Sequence, residues 1–302
     1  MNIEVSVGNS ILQICLSAAR SLTERAGNSS DFRHSLQRAY EDVLMSAEAV
    51  QTAAQADRLF TKVMDMTPAD ELALRRFVHG WQDTHVSSDL VGQLALRLHA
   101  IGAHETAGDM MAVIAADIGA EGGKPHRDLF ETFANGLCAP QSWRGRESAV
   151  LSCTEFRRYL RAARIEAPET EAVLTTAASE IWNVGEYTTL SERFPVWMRE
   201  RMRIPSENIR KINAYVHVHA GKTELTHFLV AIDAWDKLAV HLGEQQSVTL
   251  AATTMQRYLG ALGVAYGGLA DCLEQEQEKQ CVRDVTALIK PGVAASSLCV
   301  GQ

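Results

Sequence analysis

"PSENIRKINAYVHVHAGKTELTHFLVAIDAWDKLAVHLG", residues 205–243, is the stretch on which the fold reading turns. Its apolar residues recur at three- and four-residue spacing, which predicts one long, kinked helix. Within it, "YVHVHAGKTELTHF" places His217, His219, Glu224 and His227 in eleven residues. Such a run is either a metal-binding helix or a polar patch on a solvated face. The choice depends on whether the rest of the chain supplies matching ligands.

The same periodicity extends over nearly all of the 302 residues. Ile11, Cys15, Ala18 and Leu22 share one face of a first helix. "DFRHSLQRAYEDVLMSAEAVQTAAQADRLFTKVMDM" predicts a long second helix, broken once. "TPADELALRRFVHGWQDTH" opens with Thr67 as a cap and Pro68 at the first helical position, with Leu72, Phe77 and Trp81 facing inward. Helices follow at about 88–102 and 105–118, then a break at "GAEGGKP". Further helices are expected in "HRDLFETFANGL", "SCTEFRRYLRAARI", "PETEAVLTTAASEIWNV" and "EYTTLSERFPVWMRERM", the last bending before Pro195. A final long helix starts at a Ser247 cap. No period-two strand pattern persists. The expectation is an all-α multi-helix bundle in a single helical domain, 1–302. In it, helices of 1–66 pack on a 67–245 bundle and 289–302 form a mobile tail.

Composition sets the function classes. Hydrophobic residues make up 46% and charged residues 22%, a globular balance that favours a buried core. The formal charge of −8 and the lack of basic runs with interleaved aromatics argue against nucleic acid as a partner. Six scattered cysteines without a C-x-x-C pair argue against a zinc ribbon or a disulfide framework. No signal peptide and no apolar run of membrane-spanning length is visible, so a cytoplasmic location without membrane contact is expected.

Three places could carry chemistry. Glu224 and His227 are three residues apart, on one helical face, and can give two ligands to one site. His219 lies five residues before Glu224 and falls in line only if the helix distorts. A wide i→i+5 turn at Gly221 would do that. His217, seven residues before, is the other choice. In "IAADIGAEGGKPHRDLF", Asp117 and His126 flank a Gly-rich turn that lets both converge; the bland reading is a polar helix corner. In "SEIWNVGEYTTL", Glu180 and Glu186 are six residues apart and sit on different faces, so only one is expected to point inward. Oxygen and imidazole donors without thiolates suit iron or manganese.

This layout resembles the heme-oxygenase-like diiron oxidases and oxygenases, relatives of the thiaminase-like TenA and PqqC folds. "DIGAEGGKPHRDLF" is similar to that family's acidic residue, Gly-containing turn and His, with Asp117 where Glu is usual. Glu186 is near the distance before the last metal-binding helix at which the family carries another Glu. "HAGKTELTH" is similar to the family's H-x3-D-x2-H, with Glu224 for Asp and one extra residue after His219. The resemblance covers about 67–245. It implies a heme-oxygenase-like bundle whose metal ligands are Asp117, His126, Glu186, His219, Glu224 and His227. It further implies two non-heme Fe ions, or Mn/Fe, and O2 as co-substrate. The activity implied is oxidation of a small amino-acid-like or fatty-acid-like substrate, such as N-hydroxylation or carbon–carbon cleavage in a biosynthetic pathway. A homodimer follows by analogy, and the electron donor is open. Two other readings stand beside it: a metal-free small-molecule-binding relative, and a helical interaction protein without catalysis. His241, His99 and His104 are read as structural, the tryptophans as core, and Lys222 as a neighbour of the site.

Overall fold

The computed structural model describes residues 6–24, 31–115, 117–119 and 124–289, with side-chain surroundings through residue 276. Every regular element among them is helical. The tail expected at 289–302 lies outside the described residues apart from Ile289, which ends the last helix. No helix among the described residues is long and apolar enough to cross a membrane.

The helices are α1 Val7–Glu24, α2 Asp31–Leu44, α3 Ala47–Asp65, α4 Glu71–His85, α5 Ser88–Ala100, α6 His104–Val113, α7 His126–Leu137 and α8 Leu151–Arg161. They continue as α9 Glu169–Glu200, α10 Ser206–Ile212, α11 Ala214–His219, α12 Lys222–Leu242 and α13 Val248–Ile289. Two short 3-10 turns lie between α7 and α8, and one π turn, Ala162–Glu166, follows α8.

α9 is the axis of the molecule. Its residues are buried on every side rather than along one stripe, as expected of a helix enclosed by others. α1, α5, α11, α12 and α13 all pack on it. α1 comes very near because position 185 is Gly: a Cβ there would lie 2.5 Å from the Ile11 carbonyl oxygen and 2.6 Å from Cys15 Sγ. The Cys15 thiol then donates to the Ile181 carbonyl at 3.2 Å. One continuous apolar core joins α1–α3 to the central helices and α13.

Several sequence expectations shift in register. The long second helix breaks at Met45–Ser46, where the Ser46 side chain accepts from the Ala49 N–H. Thr67 does not cap α4 directly. Its N–H and hydroxyl both donate to the Asp70 carboxylate in a turn, and α4 begins at Glu71. Phe77 and Trp81 are buried, whereas Leu72 is half-buried. α9 runs through Pro195 to Glu200 as one helix, so the two segments expected at 168–202 are continuous. The Ser247 hydroxyl accepts from the Leu250 N–H and caps α13 as expected.

The stretch 205–243 is not one kinked helix. It divides into α10, α11 and α12, with breaks at Asn213 and at Ala220–Gly221. Gly221 has φ of 68°, in a region open to glycine and costly for other residues. The anticipated i→i+5 bulge is replaced by a complete interruption, and Gly221 becomes the residue that starts α12.

Candidate metal centre

The break at Gly221 places the site. A continuous helix would carry His219 away from the Glu224 face. Instead α11 ends at His219, the chain turns, and Glu224 and His227 arise from the first turns of α12. His219 Nδ1 and Glu224 Oε1 then meet at 2.5 Å. The Gly221 N–H donates to Thr188 Oγ1 at 3.0 Å, tying the turn to α9.

Asp117 and His126 come from the turn between α6 and α7. α6 ends at Val113, four residues before Asp117. The His126 N–H donates to the Asp117 carbonyl at 2.9 Å, which closes the turn. Their side chains converge as the spacing predicted: Asp117 Oδ1 and His126 Nδ1 lie 2.5 Å apart. The two atoms are nevertheless misaligned, and neither has a hydrogen-bond partner. The Nε2 of His219 is also buried and unpartnered. The His126 and His219 rings stand edge to face, with centroids 4.4 Å apart.

Glu180 enters from α9. His227 Nδ1 sits 3.8 Å from Glu180 Oε2 and 3.7 Å from Glu224 Oε2. Two triads result, Asp117–His126–His219 and Glu180–Glu224–His227, each with its ligand atoms within 4.8 Å of one another and each able to hold a metal ion. Glu224 joins them: Oε1 faces His219 of the first triad and Oε2 faces His227 of the second. A cavity of about 30 Å³ lies between, bordered by Asp117 and His219 of the first triad, all of the second, Tyr187 and His85.

The electrostatics are those of crowded carboxylates. Burial, then the Glu224 charge beside it, push the Glu180 carboxyl well above its ordinary range, with Arg164 opposing. Glu224 is driven the other way. Burial would raise it, but the charge and hydrogen bond of His219 hold it well below the ordinary range. Burial likewise works against a charged His219, and Glu224 overcomes it and raises the His219 pKa. Arg164, in the π turn, is fully buried and donates to Ser87 Oγ and Ser179 Oγ at 2.6 Å each. Ser179 is within 3.4 Å of Glu180 Oε1, so Arg164 steadies that carboxylate through it.

Of the six ligands expected, the structure brings together Asp117, His126, His219, Glu224 and His227. Glu186 is the correction. It is fully buried on the other side of α9's turn and is held by four donors. Trp81 Nε1 reaches it at 3.1 Å, Trp182 Nε1 at 2.9 Å, His85 Nε2 at 2.9 Å, and the Tyr266 hydroxyl bonds it as well. Six residues along a helix is a rotation of about 240°, so Glu180 and Glu186 cannot face one site. Glu180, not Glu186, groups with Glu224 and His227. Between the two candidate first histidines, His219 faces the cluster and His217 is exposed. Glu121 lies outside the described residues.

Three contributors escaped sequence reasoning. Tyr187 stacks on the His219 ring at 4.7 Å and Tyr215 meets it edge-on at 4.8 Å, with their hydroxyls 3.0 Å apart. Arg164 carried no signal beyond being one arginine among many. Trp182 is core, as expected, and its indole N–H serves Glu186. His241 bonds the Ile101 carbonyl at the end of α12, in keeping with a structural role. Lys222 is exposed and lines an open groove of about 590 Å³ that reaches His126 and His227 from the surface.

Comparison with known proteins finds no family model and no curated protein that matches this chain.

Proposed function

We propose that this chain holds two non-heme metal ions, Fe or Mn/Fe, in a heme-oxygenase-like bundle and oxidises a small organic substrate with O2. One observation carries the reading: two His–carboxylate triads, Asp117–His126–His219 and Glu180–Glu224–His227, lie side by side, and Glu224 touches a histidine of each. The donors fit the metals. Imidazole nitrogens and carboxylate oxygens without thiolate suit iron and manganese. The buried His219 Nε2 has no hydrogen-bond partner, and Asp117 Oδ1 and His126 Nδ1, 2.5 Å apart, make no aligned hydrogen bond. Paired ligands on facing helices are the usual construction of such centres in bundles.

Asp117, His126 and His219 would hold one ion, Glu180 and His227 the other, with Glu224 between. The metals would supply the electrons that activate O2 and the oxidising power to break a C–H or N–H bond. The protein's own residues do the rest. Tyr187 and Tyr215 close the inner side of His219 against water. Arg164, acting through Ser179, fixes the Glu180 carboxylate. The groove beside Lys222 admits substrate as far as His126 and His227.

The test is to load purified chain with Fe(II) without air and measure iron per chain, then follow O2 consumption. Two ions bound per chain, lost together in Glu224→Ala, are expected. A folded chain that takes up no iron would defeat the proposal. That result would favour the metal-free reading, in which the direct His219–Glu224 contact at 2.5 Å is an acid–base pair.

A further inference from the structure

A second cavity, of about 600 Å³, lies where the end of α9 meets the α10–α11 corner. That is within the range of volumes that enclose small organic ligands. Arg199 and Arg210 border it, with His217 beside them, and no acidic side chain among the described residues lines it. Arg199 leans on Glu200 at 3.5 Å, with both exposed to solvent. Arg210 is exposed and has no ion-pair partner among the described residues.

The floor mixes apolar surface with polar groups that lack partners. Asn213 is 6% exposed, lines the cavity, and its Oδ1 has no hydrogen-bond partner. Pro195 also lines the cavity and has no N–H. The Ser191 carbonyl, one turn back, therefore lacks its usual helical donor. An unpaired Asn213 Oδ1 and a carbonyl without its i+4 donor, under a cationic rim, suit a ligand with an acid group at one end and a donor at the other.

We infer that this cavity is a binding site for a small organic acid that carries a hydroxyl or amino group. Arg199 and Arg210 hold the acid, the Pro195 side takes the apolar body, and Asn213 and the Ser191 carbonyl meet the donor. His217 borders both this cavity and the groove that leads to His126 and His227. A molecule seated on the arginines thus lies on the approach to the candidate metal centre. The binding itself requires no metal.

Calorimetric titration of metal-free, full-length chain tests this with three molecules: 4-hydroxyphenylacetate, phenylacetate, which lacks the hydroxyl, and 4-(2-hydroxyethyl)phenol, which lacks the acid. The first is expected to bind, and the neutral alcohol at least about tenfold more weakly. The double variant R199Q/R210Q should lose about tenfold or more for 4-hydroxyphenylacetate. Both arginines are exposed, so the variant is expected to fold, and its helical circular dichroism checks that. Asn213→Ala should remove the preference for 4-hydroxyphenylacetate over phenylacetate. No binding to the folded chain, or equal binding by wild type and double variant, overturns the site. Phenylacetate binding to wild type as tightly as 4-hydroxyphenylacetate overturns the donor requirement. Iron content is measured on a separate sample. A chain that takes no iron but binds the acid keeps this site and loses the metal reading; the converse loses only this site.

Discussion

Glu186 and Glu224 are both buried carboxylates beside a histidine in one helical bundle, yet their surroundings differ in kind. Around Glu186 the demand for hydrogen bonds is met: two indoles, a phenol and an imidazole converge on its two oxygens. Burial would raise its pKa, but His85, Tyr266 and Trp182 bring it below the ordinary range. Glu224 is also held below the ordinary range, by His219, but beside it the His219 Nε2 has no hydrogen-bond partner, and burial and repulsion push a second carboxylate, Glu180, toward its neutral form. A carboxylate with a full set of donors holds a fold together. Carboxylates crowded against one another, with histidine nitrogens left over, suit the capture of a cation. The contrast separates a structural site from a candidate functional one without reference to any relative.

The contrast breaks most visibly by substitution. Glu186→Ala should cost about 3–5 kcal/mol of folding free energy, because it strands His85, Trp81, Trp182 and Tyr266 in the core. Urea unfolding measures this, and a loss under about 1 kcal/mol would mean the network holds little. Glu224→Ala should remove metal uptake altogether; equal iron content in that variant and wild type would undo the distinction.

Glu180→Gln sharpens it. A carboxyl whose pKa is raised on folding weakens the native state as pH climbs above its unfolded value near 4.5. Without metal, the variant should therefore melt higher than wild type at neutral pH and match it below pH 4.5. The sign is opposite for Glu186, whose folded pKa is lowered. Its contribution is complete above about pH 4.5 and is lost as pH falls below that, through the folded value. Glu186→Gln should flatten the acid limb of the stability profile, and an unchanged limb would contradict the assignment. The smallest effect is expected for Trp182→Phe, which deletes one donor and keeps most of the ring, at about 1 kcal/mol.

Much of the helical layout was legible. The start of α7 at His126, the cap at Ser247 and the break after α6 follow from local chemistry: proline before a helix, a hydroxyl at its start, glycines in a turn. The convergence of Asp117 with His126 was legible for the same reason, since both belong to one short turn. Glu224 with His227 is an i,i+3 pair and needed only a helix. Elements that depended on distant neighbours were not legible. The choice of Glu180 over Glu186 is a choice of which way α9 rotates, and a helix buried on all sides shows no amphipathic face from which to read that rotation. Arg164 and Tyr187 serve the cluster only because the bundle brings their helices to it.

The sequence by itself determined the all-helical class, several helix limits such as His126–Leu137, and the pool of carboxylates and imidazoles from which the cluster is drawn. It did so because periodicity, capping and turn chemistry act over a few residues. Only the tertiary structure decided that the helix breaks at Ala220–Gly221 rather than bulging there, that α9 turns Glu180 toward the histidines, and that Glu186 belongs to the core. Those outcomes depend on close approach: α1 against Gly185, the Gly221 N–H on Thr188, and four donors meeting one carboxylate. Contacts of that kind join residues far apart in the chain, and no local pattern encodes them.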